Sequence, residues 1–117
     1  MVNEDFSKKR CKPCEGGVVP LSAAPAKEYI KSLDGWVLAE DGASISRNYV
    51  MKDFMSAVEF IRRIAAVAES EDHHPDIHLT GYRKLRIELS THAIGGLSEN
   101  DFILAAKIDP LPKELKK

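Results

Sequence analysis

Residues 53–91 read DFMSAVEFIRRIAAVAESEDHHPDIHLTGYRKLRIELST, and this stretch decides the fold. Asp53 can cap a helix, because its carboxylate can accept from the free N–H groups of a first turn. Pro75 disfavours helical geometry at the residue before it, so the helix should end near Asp72 or His73. Apolar residues recur between these limits at three- and four-residue steps, which predicts one buried stripe formed by Phe54, Val58, Ile61, Ala65 and Ala68.

Two strands are predicted after the proline turn, over residues 78–82 and 84–91. In the second strand Leu85, Ile87 and Leu89 alternate with charged residues. Successive side chains of a strand point to opposite faces, so this alternation predicts one buried face of the sheet.

The chain before this stretch predicts a helix and a hairpin. Ser22 stands before Ala-Ala-Pro, which favours a hydroxyl cap and a helix that ends at Asp34-Gly35. Residues 35–52 then predict a β-hairpin, because strand-like spacings flank the turn sequence Glu-Asp-Gly at 40–42.

The chain after this stretch predicts one more helix. Gly95-Gly96 interrupts the regular pattern, Ser98 can cap, and residues 102–108 form a short apolar run closed by prolines. The resulting order α-β-β-α-β-β-α predicts an α+β fold, a four-stranded antiparallel sheet with helices packed on one face. An exposed edge strand of such a sheet can pair with another chain, so we expect self-association.

A length of 117 residues and 13.0 kDa fits one domain. We assign residues 1–19 to a polar leader, 20–110 to the single domain, and 111–117 to a basic C-terminal tail, of which residues 113–117 are expected to be loose. Seventeen Lys and Arg oppose eighteen Asp and Glu, which argues against a nucleic-acid partner. No apolar run approaches the roughly 20 residues of a membrane helix, and the polar N-terminus does not resemble a signal peptide, so we expect a cytoplasmic protein without a membrane partner.

The leader contains one Cys-x-x-Cys, formed by Cys11 and Cys14. A redox pair normally opens a helix within a strand-helix-strand unit, and a zinc site normally uses four ligands. Neither context is present, so the leader favours a solvated tail, with reactive thiols as the open alternative.

Three histidines carry most of the chemical information. His73 and His74 lie at the predicted end of the long helix, and His92 lies at the end of the last strand. These ends can converge on one cleft, and imidazoles with a free pKa of about 6.5 suit proton transfer near neutral pH. Local hydrogen bonding in a polar turn is the alternative for each one. A three-histidine zinc site is a further alternative, although adjacent histidines project differently.

Two carboxylates accompany the histidines. Glu69 lies one helical turn before His73 and could orient its imidazole, or could be an exposed helix charge. Asp101 follows Ser98 by three residues, a spacing that favours helix capping over catalysis.

These motifs resemble those of the pterin-4a-carbinolamine dehydratase family. The similarity rests on EDHHPD at 71–76, LSTH at 89–92 and GLSENDF at 96–102, with LDGW at 33–36 upstream, and it covers about residues 20–109. It implies an α+β fold that associates as a homodimer or homotetramer. It also implies a hydro-lyase that removes water from 4a-hydroxytetrahydropterin, giving quinonoid dihydropterin in tetrahydrobiopterin recycling, with no metal or organic cofactor.

The resemblance also implies roles for individual residues. His73 and His92 match the histidines that transfer protons, and His74 matches the one that chiefly holds the pterin. The supporting set comprises Pro75 and Thr91, which would shape the pocket, and the carboxylates Glu69 and Asp101.

Two other functions stay open. One is a non-catalytic protein-binding or dimerisation module, although a pure scaffold would not need all three histidines. The other is a dehydratase-like protein acting on another pterin, for example in molybdopterin metabolism.

Overall fold

The computed structural model describes residues 21–116, apart from the side chains of Ala23 and His92. Its helices are α1 (Ala23–Ile30), α2 (Phe54–Glu71) and α3 (Glu99–Ile108), and its strands are β1 (Val37–Leu38), β2 (Ile45–Val50), β3 (Asp76–Thr80) and β4 (Lys84–Leu89). The strands form one antiparallel sheet in the order β1-β2-β4-β3. The predicted α+β fold and its element order are therefore confirmed.

The alternation in β4 produces the predicted buried face. Leu85, Ile87 and Leu89 are fully or almost fully buried and join a core to which α2 and α3 also contribute. Each such side chain removed from water contributes about 1.5–3 kcal/mol, so this face fixes the register of the sheet. The two strands are shorter or shifted relative to the prediction, because β3 begins at Asp76 and β4 ends at Leu89.

α1 begins at the predicted position but differs from the prediction in its capping and in its C-terminal end. Ser22 is the N-cap residue, but its side chain makes no capping hydrogen bond. The helix ends at Ile30 rather than near residue 34, and turns lead from there to Gly35. Gly35 has a φ of +86°, and a Cβ there would lie 2.8 Å from Nε of Arg47. The positive φ favours glycine, and the absence of a Cβ leaves room for the Arg47 guanidinium.

α2 has the predicted limits but a different buried stripe. The Asp53 carboxylate accepts from Ser56 N at 2.8 Å, and Asp72 ends the helix in the left-handed conformation with a φ of +52°. Of the predicted stripe of Phe54, Val58, Ile61, Ala65 and Ala68, only Ala68 is buried. The buried positions of the helix are Ala57, Phe60, Ile64, Ala68 and Glu71. Apolar residues lie on several sides of this helix, so periodicity alone does not choose the face that meets the sheet.

The C-terminal segment is ordered against the sheet, which corrects the expectation of a loose tail. Met51 and Leu115 form an antiparallel bridge, Lys52 N donates to Glu114 O at 2.9 Å, and Lys116 N donates to Val50 O at 2.9 Å. The chain therefore returns along the end of β2 after α3.

A polar cluster joins this end of α3 to the hairpin. Asp109 Oδ1 accepts from Trp36 Nε1 at 2.8 Å, from Arg47 Nη1 at 2.9 Å and from Tyr49 OH at 3.4 Å. The cluster ties β2 and the chain before β1 to the C-terminal end of α3.

None of the helices within residues 21–116 has the length and hydropathy of a membrane-spanning segment. The predicted leader, with Cys11 and Cys14, lies outside the described residues.

Candidate active site

Asp101 is the anchor of the site and lies in the first turn of α3. Ser98 and Asp101 form a capping box, in which Ser98 N donates to Asp101 Oδ2 at 2.9 Å. The Thr91 hydroxyl also donates to Asp101 Oδ2 at 2.9 Å. Asp101 is 0% exposed, and the N-terminus of a helix is where a buried carboxylate is best tolerated. The predicted capping role of Asp101 is therefore confirmed.

The same carboxylate contacts His73, a contact that the spacing of residues did not predict. Asp101 Oδ1 lies 2.6 Å from His73 Nε2, and the His73 side chain is 11% exposed. An ionised carboxylate only accepts hydrogen bonds, so Nε2 carries the proton toward Asp101. In a neutral imidazole Nδ1 is then left as the acceptor, and such a nitrogen can take a proton from a ligand.

The end of α2 explains why His73 points toward α3. Asp72 takes the left-handed conformation, and the next residue folds back so that His73 N donates to Ala68 O at 3.2 Å. A left-handed residue and a hydrogen bond back to the last turn are a common way for a helix to end.

His74 leaves the same turn on the outer side. Its Nε2 lies 2.7 Å from Glu69 Oε1, and the two side chains are 56% and 77% exposed. The sequence prediction paired Glu69 with His73, and this is wrong because the helix ends before residue 73. Glu69 can orient only the imidazole of His74 in this geometry.

The third histidine follows the last strand at the expected place. His92 is the first residue of a single 3-10 turn, His92–Ile94, and directly follows Thr91 in the chain. Thr91 is 3% exposed, and its main chain pairs with Gly96. The backbone of residue 92 is thus next to a donor of Asp101. The prediction for the imidazole of His92 lies outside the described part of the chain.

The remaining predicted site residues frame this cluster. Pro75 is half-buried and begins the connection into β3, one residue after His74. The Thr91 hydroxyl lies 2.8 Å from Ser98 Oγ, and its own proton is given to Asp101, so Ser98 is the donor in that pair. Thr91, Ser98, Asp101 and His73 therefore form one continuous hydrogen-bonded chain.

Sequence reasoning missed a second contact between α2 and α3. Lys107 Nζ lies 2.8 Å from Glu71 Oε2, and the two side chains are 17% and 3% exposed. This pair holds the end of α2 against α3 two residues before His73. The partners are 36 positions apart, and no local spacing indicates such a contact.

The chain is similar to known proteins over most of its length. The sequence profile of the family Pterin 4 alpha carbinolamine dehydratase matches residues 19–111. A protein of Nitrosomonas europaea, provisionally named a pterin-4-alpha-carbinolamine dehydratase, is 50% identical over 93% of this chain and 95% of its own. Pterin-4-alpha-carbinolamine dehydratase 2, mitochondrial, of Arabidopsis thaliana is 44% identical over 94% of this chain and 60% of its own.

Solved structures show the same fold. A transcriptional coactivator/pterin dehydratase from Brucella melitensis superposes with a TM-score of 0.71 and 32% identity, over 77% of this chain and 95% of that one. A pterin dehydratase-like protein described as a RuBisCO assembly factor in the alpha-carboxysome gives a TM-score of 0.54 at 20% identity, over 64% of this chain and 86% of that one, a likeness of fold alone. On the extent of the profile match and of these identities, the chain belongs to the pterin-4-alpha-carbinolamine dehydratase family.

Proposed function

We propose that this protein removes water from a 4a-hydroxytetrahydropterin and gives a quinonoid dihydropterin, as a 4a-hydroxytetrahydrobiopterin dehydratase in cofactor recycling. The observation that carries the proposal is the 2.6 Å contact between His73 Nε2 and the fully buried Asp101. An imidazole held in this way has a defined tautomer and one nitrogen left for a ligand.

The reaction requires one acid and one base on a flat polar ligand. The hydroxyl at C4a leaves as water after it receives a proton, and a ring nitrogen of the pterin gives up a proton. His73 takes the part of the base through Nδ1, because Nε2–H is engaged by Asp101. His92 takes the part of the acid, since its main chain adjoins Thr91 in the same hydrogen-bonded chain. Positioned acid–base groups raise a reaction rate about 10²–10⁴-fold. This is sufficient for a carbinolamine, which already dehydrates without a catalyst.

The other predicted residues act on binding in this proposal. His74 holds the pterin at the rim of the site, with its imidazole oriented by Glu69. Pro75 and Thr91 shape the wall beneath it. The chemistry needs no metal or organic cofactor, and the proposed ligand is the pterin alone.

Stopped-flow measurement of dehydration, with carbinolamine generated immediately before mixing, tests these roles. We expect His73→Ala and His92→Ala each to lower the rate constant about 10²-fold or more, because each removes a proton-transfer group. We expect His74→Ala to raise KM more than it lowers kcat.

His78→Ala is the matched control. His78 lies on β3, its side chain is 52% exposed, and its nearest carboxylate is Glu88 at 4.0 Å. It should retain the wild-type rate. Unchanged rates for both His73→Ala and His92→Ala, with the fold intact by circular dichroism, would overturn the assignment. Faster turnover of a different pterin than of the biopterin form would instead assign the protein to the metabolism of that other pterin.

A second candidate function is that of a binding module. The apolar side chains of Phe54, Met55 and Val58 on α2 are 51%, 71% and 39% exposed, and β3 is an edge strand. We propose that a second copy of this chain covers these surfaces and forms a homodimer or homotetramer. Sedimentation velocity tests this, since a 13.0 kDa species at micromolar concentration would contradict it. An assembly without pterin turnover would favour a scaffold over the enzyme.

A further inference from the structure

A positively charged groove lies at the other end of α2 from His73. It has a cavity volume of about 640 Å³ and is lined by Lys52, Arg83, Lys113, Glu114, Leu115 and Lys116. Lys52 directly precedes the N-cap of α2, whereas His73 follows its C-terminus. The 18 residues of α2 span about 27 Å, so the groove is separate from the candidate active site.

The groove concentrates cations on a chain whose net charge is −1. Its wall carries four cationic side chains and one carboxylate, that of Glu114. The one ion pair described between wall residues is long, 3.8 Å from Lys52 Nζ to Glu114 Oε2. The Glu114 carboxylate also accepts from the Ser56 hydroxyl at 3.1 Å, so it is hydrogen-bonded to the first turn of α2.

The other three cations form no ion pair with a carboxylate within the part of the chain that the structure describes. Lys113 Nζ donates to the main-chain oxygen of Asp109 at 2.6 Å. Arg83 donates through Nη2 to the main-chain oxygen of Lys52, and its Nε is buried without a hydrogen-bond partner. Burial lowers the pKa of the Lys113 ammonium, against the opposing effect of Asp109. Asp53 interacts electrostatically with Arg83, and Asp109 with Lys113, but neither carboxylate forms a described ion pair with these cations. The crowded cations therefore still repel one another, and a bound anion would relieve this repulsion.

The backbone holds the groove in shape. Lys52 and Lys116 lie on two segments joined by antiparallel hydrogen bonds, and Met51 N donates to Arg83 O at 2.8 Å. The three segments that carry the cations are thus fixed relative to one another. Such pre-organisation lowers the entropy cost of binding.

We propose that this groove binds a small molecule that carries a phosphate group. Phosphate offers several oxygens to lysine and arginine donors and forms strong charge-assisted hydrogen bonds with them. A volume of about 640 Å³ exceeds what a bare phosphate fills and lies within the roughly 300–1,000 Å³ of small-molecule sites. Leu115 is 43% exposed and gives an attached organic group an apolar contact. The site does not depend on the proposed dehydratase activity.

Calorimetric titration of the full chain with inorganic pyrophosphate at constant ionic strength tests the proposal. We expect saturable binding of one pyrophosphate. Lys52→Gln and Lys116→Gln should each weaken it about tenfold or more, because each removes a charge-assisted contact. Both substitutions keep the main-chain hydrogen bonds that hold the segments. Amide NMR shifts on titration should be confined to residues 50–52, 83 and 113–116.

Lys31→Gln is the matched control, since Lys31 is an exposed lysine at the end of α1 that pairs with Glu28. It should bind pyrophosphate as the wild type does. Absence of binding, or equal weakening by Lys31→Gln, would overturn the proposal. Tighter binding of a short oligoglutamate peptide than of pyrophosphate would overturn the phosphate assignment and indicate an acidic protein partner.

Discussion

The two ends of α3 each hold an aspartate that accepts three hydrogen bonds, yet the two clusters differ in what they can do. Asp101 accepts from His73, from the Thr91 hydroxyl and from Ser98 N. Asp109 accepts from an indole, a guanidinium and a phenol. Only the first cluster includes an imidazole, the type of side chain that most often transfers protons in enzymes.

The helix itself explains this difference in partners. Asp101 lies at the N-terminus of α3, where free N–H groups and the helix dipole stabilise a carboxylate without a cation. Asp109 lies at the C-terminus, where the dipole is unfavourable to negative charge. The carboxylate there is accompanied by the permanent charge of Arg47, at 2.9 Å. The number of hydrogen bonds to a carboxylate therefore does not identify a site of proton transfer, but the chemical type of its donors does.

Exchanging the carboxylate of Asp101 for an amide should have the largest effect on turnover. In Asp101→Asn the carbonyl oxygen can still accept from Thr91 and Ser98, while the NH₂ group faces His73 Nε2. The imidazole then accepts at Nε2 and carries its proton on Nδ1, the nitrogen proposed as the base. We expect the dehydration rate constant to fall about 10²-fold or more, measured by stopped flow.

The fold of this variant should persist, and thermal unfolding followed by circular dichroism checks that. A folded Asp101→Asn protein with wild-type turnover would mean that Asp101 is a helix cap only. The Asp101 and Asp109 clusters would then both serve stability alone.

The same substitution at the other end of the helix should affect stability and not turnover. Asp109→Asn replaces the negative charge beside Arg47 by a neutral amide, and hydrogen bonds to charged groups contribute about 1.5–3 kcal/mol. We expect the free energy of unfolding in urea to fall by about 2 kcal/mol with kcat unchanged. Asp34→Asn is the control, since that exposed side chain should be replaceable without loss. A large loss of turnover in Asp109→Asn would show that the clusters are coupled through α3.

Much of the fold could be predicted from sequence because it depends on local signals. Asp53 and Pro75 bracket α2, and Ser98 caps α3, since caps and proline act within a few residues. The face of α2 that meets the sheet could not be predicted, because the helix carries apolar residues on several of its sides. The order of the C-terminal segment depends on pairing with Val50 and Lys52, more than 60 positions earlier.

In the candidate site, too, local features could be predicted and contacts between distant residues could not. Sequence indicated His73, His74 and Asp101 as residues of interest, and it indicated capping for Asp101 from the spacing to Ser98. It misassigned Glu69, because a one-turn spacing has meaning only while the helix continues. The contact of His73 with Asp101 joins residues 28 positions apart and follows from the packing of α2 on α3.

The smallest expected effect concerns Tyr49, which belongs to the Asp109 cluster. It is 4% exposed, packs edge-on against Phe60, and donates to Asp109 at 3.4 Å. Burial raises the pKa of the Tyr49 hydroxyl well above its ordinary value, and Asp109 adds to this while Arg47 opposes it. Because the pKa is higher in the folded than in the unfolded chain, this contribution to stability is complete below about pH 10 and is lost as the pH rises further.

We therefore expect Tyr49 to ionise only as the protein unfolds. The tyrosinate absorbance that wild type shows and Tyr49→Phe lacks should appear together with the loss of the far-ultraviolet circular dichroism signal. A gradual rise while the dichroism is intact would mean that the proton of Tyr49 exchanges in the folded state. In that case the Asp109 cluster would also contain a proton that exchanges in the folded protein. The two ends of α3 would then differ only in the pH at which that exchange occurs.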